Sequence, residues 1–412
     1  MSKDLTCRFC SAPLTQTLVD LGKTPLANSY LKSTDEIRDE KSYPLHARVC
    51  GNCKLVQVED VVPAEDIFSD YAYFSSFSPS WIAHAKAYCD QLTDKLGLDS
   101  TSLVMEVASN DGYLLKHFVD KGIPVLGIEP AANVAEAAEA VGVKTEVAFF
   151  GEETAERLKA QGLKADLMAA NNVMAHVPDI NDFIEGFRIL LAADGVLTIE
   201  FPHLLNLIEK VQFDTIYHEH YSYLSLLTVE TILGAHGLRV FNVEELRTHG
   251  GSLRIFACHA RSTKYPATEG LANIRAMERT AGLGEMVAYD NFTPKVEHVR
   301  RSLLDFLRKA KTDGKSVAAY GAAAKGNTLL NYCGVGTDLI DFVVDRNPEK
   351  QNTLLPGSHI PVFSPDKIGI EKPDFLLILP WNLATEITGE MTAIRDWGGR
   401  FAVPIPELTI LP

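Results

Sequence analysis

Residues 213–223 read Phe-Asp-Thr-Ile-Tyr-His-Glu-His-Tyr-Ser-Tyr, and most of these positions carry an aromatic ring, an imidazole or a carboxylate. A hydrophobic core has no use for so many titratable groups side by side. Imidazole titrates near neutrality and takes up or returns a proton at useful rates, which makes His218 and His220 candidates for acid–base chemistry. Glu219 can orient an imidazole and stabilise its protonated form, and Tyr217 can donate to a developing oxyanion. Two other readings stay open. One is a metal held by His218 and His220 on one face of a strand, although the His-Glu-x-x-His spacing that sets two imidazoles on one helix face is absent. The other is an aromatic cluster that only packs.

Cys7-Arg8-Phe9-Cys10 and Cys50-Gly51-Asn52-Cys53 form two C-x2-C pairs. Each pair can place two thiolates on one tetrahedral zinc ion. Four thiolates leave no open coordination position, so such a zinc is structural. The alternative is a pair of reduced hairpins without metal. Met1-Ser2-Lys3-Asp4 lacks the apolar core of a signal peptide. The expected location is therefore the cytoplasm, where a metal is favoured over disulfides. Cys89, Cys258 and Cys333 read as small buried hydrophobes.

A third stretch is Val104-Met105-Glu106-Val107-Ala108-Ser109-Asn110-Asp111-Gly112. It reads as a buried strand that turns through small polar residues into a helix, where backbone can approach a ligand closely. A second apolar run, Pro124-Val125-Leu126-Gly127-Ile128, ends in Glu129, and an acid there suits the two hydroxyls of a ribose. The dinucleotide pattern G-x-G-x-x-G is absent. Glu106 on the first strand, the reduced glycine content and Glu129 resemble the S-adenosylmethionine site of class I methyltransferases, with departures from its glycine-rich form at Ala108 and Asn110. The candidate cofactor contacts are Glu106, Ser109, Asn110, Asp111, Gly112, Glu129 and Pro130, joined by Asn171 and Asn172. An α/β domain with an unrelated ligand is the alternative.

These residues need elements to hold them. Strands and helices alternate over 103–261, which predicts a parallel sheet flanked by helices. In open α/β sheets ligands sit outside the carboxyl ends of the strands, and Gly112, Glu129, Asn171, His176 and His203 fall there. His249-Gly250-Gly251-Ser252-Leu253-Arg254 suits close approach to a polar or anionic ligand, or is a plain hairpin turn. Residues 267–312 look largely helical. A second α/β pattern starts near 316, with the turn Gly321-Ala322-Ala323-Ala324-Lys325-Gly326-Asn327. That turn can cradle a phosphate through backbone amides and Lys325, or it is a tight turn without ligand. The aromatic linker 68–77 either packs down or sends Tyr71 or Tyr73 into a pocket. The expected fold is α/β: a zinc-binding module over 1–66, a class I methyltransferase Rossmann-like domain over 67–265, and a Rossmann-like α/β domain over 266–412.

The chain has 412 residues, 46% hydrophobic and 23% charged, as an ordinary globular protein of two or three domains has. Its formal net charge of −15 argues against non-specific binding to nucleic acid. No apolar run approaches the roughly 18 residues of a membrane span, and no membrane partner is expected.

Taken together, the four cysteines, Glu106 to Tyr113, Tyr217-His218-Glu219-His220-Tyr221, Gly250-Gly251-Ser252-Leu253-Arg254 and the Gly321–Gly326 turn resemble the three-domain sugar C-methyltransferases. That family acts on nucleotide-linked 4-keto deoxysugars, and the likeness runs along essentially the whole chain in the same order. It implies S-adenosylmethionine as methyl donor, a structural zinc and a nucleotide-diphosphate keto-deoxysugar as substrate, and is compatible with a monomer. By carry-over His220 is the base that removes the C3 proton. Tyr217 and His176 sit by the keto oxygen or the sugar hydroxyls, Glu219 holds the sugar or the imidazole, and Tyr71 comes in from the linker. Tyr73, His203 and His218 are further substrate contacts, and Ser252, Arg254, Lys325 and Asn327 contact the nucleotide. The competing readings are an O- or N-methyltransferase and a non-catalytic zinc-ribbon protein that binds no cofactor.

Overall fold

The N-terminal module is built on alternation. Strand β2 (Tyr43–Val49) buries Leu45, Ala47 and Val49 and exposes the residues between them more, the period of a strand with one face on a core. It pairs antiparallel with β1 (Gln16–Thr24) and with the short β3 (Val56–Gln57). The computed structural model describes residues 5–63 and 75–412. Tyr71 and Tyr73 lie outside them. Among the described residues no helix is long and apolar enough to cross a membrane.

The described part of the central unit opens with a helix, Pro79–Leu96. Ser78 caps its first turn by accepting from the Trp81 amide, proline occupies the start, and Gly97 ends it in the left-handed region. Five strands follow: β4 (Val104–Val107), β5 (Val125–Ile128), β6 (Thr145–Glu146), β7 (Ala165–Asn171) and β8 (Leu191–Pro202). After the two-residue β9 (Ser222–Tyr223), the hairpin β10 (Leu238–Leu246) and β11 (Ser252–His259) completes the sheet. The order is β10-β11-β8-β7-β4-β5-β6. Strands β4 to β8 run parallel, and β11 is antiparallel to both neighbours. The chain order reverses around β4, so a crevice opens at the carboxyl ends of β4 and β7.

The C-terminal sheet has six strands: β12 (Val317–Tyr320), β13 (Val343–Val344), β14 (Val362–Phe363), β15 (Phe375–Ile378), β16 (Arg400–Val403) and β17 (Thr409–Leu411). Its order is β14-β13-β12-β15-β16-β17, parallel except for the last strand. A second switch point falls between β12 and β15, at Gly321–Lys325 and Leu379–Asn382.

The three parts share cores. Leu18, Leu45 and Val49 of the N-terminal module pack in one apolar cluster with Phe213, with Val296 and Leu303 of the helix Phe292–Thr312, and with Leu329 and Leu377. Strand β3 pairs with β9, which starts two residues after His220. The helix Glu269–Thr280, expected with the C-terminal part, instead buries Leu271 and Ile274 in the core of the central sheet.

Candidate functional site

The four N-terminal thiols converge. Cys7 and Cys53 bring their Sγ atoms to 3.6 Å, Cys10 and Cys50 to 3.5 Å, and all four lie within 4.8 Å of one another. A tetrahedral ion with bonds of about 2.3 Å separates its sulfurs by about 3.8 Å, so the cage fits zinc. The knuckle is fastened to the central unit. Arg8 donates to the carbonyls of Pro178 and Val58, and its guanidinium lies 5.2 Å over the Tyr221 ring. Among the described residues these four cysteines are the metal-ligating side chains that cluster around one point. Among the described residues His218 and His220 belong to no group of three or more metal-ligating side chains.

At the carboxyl end of β4 the chain alternates into the left-handed region, with φ of 56° at Ala108, 49° at Asn110 and 76° at Gly112. Ala108 and Asn110 depart from glycine in type and keep the backbone a glycine would supply. Gly112 has no such latitude, because a Cβ there would meet Val143 Cγ2 at 3.0 Å. The amides of Ala108 and Ser109 donate to Ile128 and lash the loop to β5, and Ser109 is fully buried. Glu129 accepts from the Asn110 amide at 2.9 Å and the Ala131 amide at 3.0 Å. Each carboxylate oxygen keeps a lone pair for a further donor. Pro130 leads from Glu129 into the helix Ala132–Ala140.

Both oxygens of the fully buried Glu106 lack a hydrogen-bond partner among the described residues, as do Asp111 Oδ1, Asn171 Oδ1 and Asn172 Oδ1. The Tyr113 phenol lies beside Glu106 and accepts from Asn171 Nδ2 at 3.2 Å. Burial holds the Glu106 carboxyl well above the usual range, and the Asp111 and Glu129 carboxylates push it further. Buried acceptors are ordinarily paired. A row of orphaned ones at a switch point calls for a ligand that brings donors and positive charge. S-adenosylmethionine brings an ammonium, two ribose hydroxyls and a sulfonium, so the residues fit it. The Ser75 and Ser76 amides donate to Asn110 Oδ1 and Asp111 Oδ2 and cover the loop from the N-terminal side.

The titratable cluster stands at the mouth between the two sheets. His220 Nδ1 is 2.9 Å from the Thr215 carbonyl, which only accepts, so Nδ1 carries the proton. Nε2 then presents a lone pair, to which the Tyr217 hydroxyl donates at 2.7 Å. The His176 ring meets His220 edge-on with centroids 4.6 Å apart. Burial holds the His220 imidazole well below its ordinary pKa and pushes His176 down to about 4. Both are neutral at pH 7. Glu219 accepts from Asn28 Nδ2 at 2.7 Å, and burial raises its carboxyl. A cavity of about 60 Å³ is lined by Tyr217, His220, His249 and Lys325.

Lys325 reaches this cavity from the C-terminal switch point. Its ammonium donates to Asn382 at 2.7 Å and lies 4.9 Å over the Trp381 ring. Trp381 Nε1 donates to Asp214 at 2.7 Å, and burial pushes the Asp214 carboxyl up to about 6.

Several expected contacts point elsewhere. His203 does stand at the end of β8, but its ring is 2.7 Å from Glu278, which also accepts from the Leu226 and Leu227 amides. His218 donates from Nε2 to the Pro44 carbonyl at 3.1 Å. Arg254 is buried against Glu200, with Nε at 2.6 Å, and against Glu244. Ser252 donates to the Thr248 carbonyl and Asn327 to the Ala27 carbonyl. None of these five lines the cavity. Sequence reasoning missed Asn28 and Trp381, which carry no local signal; Asp214 and His249 lay inside the stretches 213–223 and 249–254 that it singled out, but it gave neither a role.

Three family models match along the chain: a zinc binding domain over 7–68, a methyltransferase domain over 81–243 and a C-methyltransferase C-terminal domain over 247–406. The C-methyltransferase NovU of Streptomyces niveus is 38% identical over 405 residues, covering 98% of this chain and 96% of its own. This chain belongs to the C-methyltransferase family. The C-methyltransferase uses S-adenosylmethionine and carries a structural zinc held by Cys7, Cys10, Cys50 and Cys53. Among solved structures, the magnesium protoporphyrin IX methyltransferase ChlM of Synechocystis PCC 6803 with bound SAM is 14% identical with a TM-score of 0.35, covering 49% of this chain and 100% of its own. The CcbJ methyltransferase of Streptomyces caelestis is 10% identical with a TM-score of 0.34, covering 43% and 89%.

Proposed function

We propose that this C-methyltransferase methylates C3 of a nucleotide-linked 4-keto-deoxyhexose through an enolate, with His220 as the base. The observation that carries the reading is the state of His220: neutral, its Nδ1–H locked on Thr215, its Nε2 lone pair turned to Tyr217 in a cavity. Such a base can serve methyl transfer to oxygen as well, and it is the family's C-methyltransferase activity that favours a carbon-bound proton. A ketone at C4 acidifies the C3 proton. His220 Nε2 takes that proton once the substrate displaces Tyr217, and the freed Tyr217 hydroxyl donates to the carbonyl oxygen as it gains negative charge. His176, edge-on to His220, keeps the base dry and faces the sugar hydroxyls, while Glu219, oriented by Asn28, accepts from one of them. When bound, S-adenosylmethionine supplies an electrophilic methyl group for the enolate carbon. Glu106, Asp111, Glu129, Asn171 and Asn172 hold it, with Ser109, Asn110, Gly112 and Pro130 shaping the loop around it. Lys325 brings positive charge to the side where the diphosphate enters, from the C-terminal domain that takes the nucleotide.

The test is mass spectrometry of the protein with S-adenosylmethionine and a panel of nucleotide-4-keto-6-deoxyhexoses. A product heavier by one methylene from the wild type, reduced about 10²–10⁴-fold in His220→Ala with S-adenosylhomocysteine still bound, is expected. Methylation that survives His220→Ala contradicts the assignment of the base. A wild type that binds cofactor and methylates no keto sugar contradicts the substrate.

A further inference from the structure

The turn between β10 and β11 is held in an unfavourable backbone. His249 has φ 54° and ψ 25°, and Gly250 and Gly251 follow with φ of 87° and 119°. Left-handed backbone costs a residue with a Cβ on the order of 1–2 kcal/mol. Such strain persists only where the surroundings impose it, and here they do. A Cβ on Gly250 would meet the Trp381 ring at 2.5 Å, and one on Gly251 would meet Asn206 Nδ2 at 2.5 Å. Gln212 Nε2 donates to the Gly250 carbonyl at 3.0 Å. The C-terminal and central units thus close on the turn and hold His249 in this backbone.

His249 lines the cavity together with Tyr217, His220 and Lys325. Tyr217 and His220 hold each other, and Lys325 holds Asn382. The His249 imidazole is solvent-accessible yet surrounded by protein, and it makes no hydrogen bond among the described residues. Among the described residues its ring contact is edge-on with Trp81 at 5.8 Å, and Trp81 in turn lies 5.8 Å from Tyr113 of the cofactor loop. His249 therefore stands between the cofactor cradle and the base. Crowding by surrounding protein atoms and the Lys325 ammonium lower its pKa, which favours a neutral ring with one N–H to give.

We propose that His249 is a further catalytic residue, whose neutral imidazole donates a hydrogen bond to the acceptor's carbonyl oxygen as His220 removes the proton from the adjacent carbon. The inference rests on the carbonyl-bearing acceptor proposed above. No proton leaves His249: its N–H tightens onto the oxygen as charge builds, and relaxes when the new carbon–carbon bond restores the ketone.

The test uses His249→Gly, which suits the backbone and opens an imidazole-sized space, together with His249→Asn, a residue that tolerates the left-handed region. Losing one oxyanion donor is expected to lower kcat about 10²-fold, with the same proportional loss in deuterium wash-in at the acceptor carbon. Binding of S-adenosylhomocysteine and the thermal midpoint stay at wild-type values, and added imidazole restores part of the His249→Gly rate. A residue that merely packs gives no imidazole rescue. Full activity in both variants, or a loss that tracks cofactor binding and resists imidazole, overturns the proposal. A wild type that methylates no keto sugar sinks the substrate reading first, and His249's role with it.

Discussion

At His220 a single hydrogen bond decides the chemistry available, because the Thr215 carbonyl fixes which nitrogen keeps the proton. Burial disfavours the imidazolium, and the neighbouring His176, His249 and Lys325 disfavour it further. The folded-state pKa is therefore lowered, and the base stays unprotonated as pH falls through the ordinary imidazole value. The acid limb of kcat/KM is expected below pH 6.5; a limb at or above that value contradicts a buried, neutral base. Asp214 runs the other way. Its folded pKa of about 6 is raised from 3.8, so the stability linked to its proton is present below pH 3.8 and lost as pH rises through about 6. Asp214→Asn keeps an acceptor for Trp381. Its thermal midpoint should match the wild type at acid pH and exceed it at pH 7; a lower midpoint at pH 7 would show that the Asp214 charge is needed against Lys325. Side-chain chemistry at this scale was legible: the density of titratable groups over 213–223 marked the cluster. Side-chain direction was not. His203 lies at the strand end as expected, yet its ring turns to Glu278. Arg254 sits in a strand buried on both faces, and its partner Glu200 is 54 residues away.

At the level of elements, the cofactor loop shows how a motif can persist in backbone when its letters change. Ala108 and Asn110 hold positive φ without glycine. Ala108→Gly should relieve strain of roughly 1–2 kcal/mol, offset by roughly 0.4–1 kcal/mol of added unfolded-state entropy. Denaturant unfolding should show a small gain, and cofactor affinity should hold. A β-branched Ala108→Val should be destabilising and should weaken cofactor binding; equal stability in both variants would mean that the loop is not held where the structure places it. The strand–turn–helix pattern was legible from the apolar run and the polar turn. The sheet order was legible only as an alternation, because pairing is set by contacts distant in sequence. The helix Glu269–Thr280 was assigned to the wrong neighbour for the same reason: its stripe of Leu271 and Ile274 does not say which sheet it covers.

Across the whole molecule, the zinc knuckle and the base are mechanically linked. The knuckle turns β2 into β3, β3 pairs with β9 at Val56–Tyr223 and Gln57–Ser222, and His220 lies just before β9. The same module supplies Asn28 to Glu219. Stripping zinc removes on the order of 10 kcal/mol from the folding of so small a unit. Chelation should abolish methyl transfer while the cradle over 104–112, built by the central sheet, still binds S-adenosylhomocysteine. Simultaneous loss of both would tie the zinc to the whole fold instead of to the base. The three-part order of the chain was legible from the cysteine pairs and the two α/β patterns. The wedge made by the N-terminal module was not, since Asn28 and Glu219 stand 191 residues apart and nothing local to Asn28 marks it as the partner.

The central claim is that His220 removes a carbon-bound proton before the methyl group moves. It is tested most directly by incubating the protein in deuterium oxide with S-adenosylhomocysteine, which has no methyl to give, and the nucleotide-4-keto-6-deoxyhexose panel. Exchange at C3 is then followed by proton NMR. The account predicts wash-in of deuterium by the wild type and its loss in His220→Gln, with cofactor binding equal in the two proteins. Exchange at the wild-type rate in His220→Gln, or none in a wild type that goes on to methylate the same sugar, would contradict it.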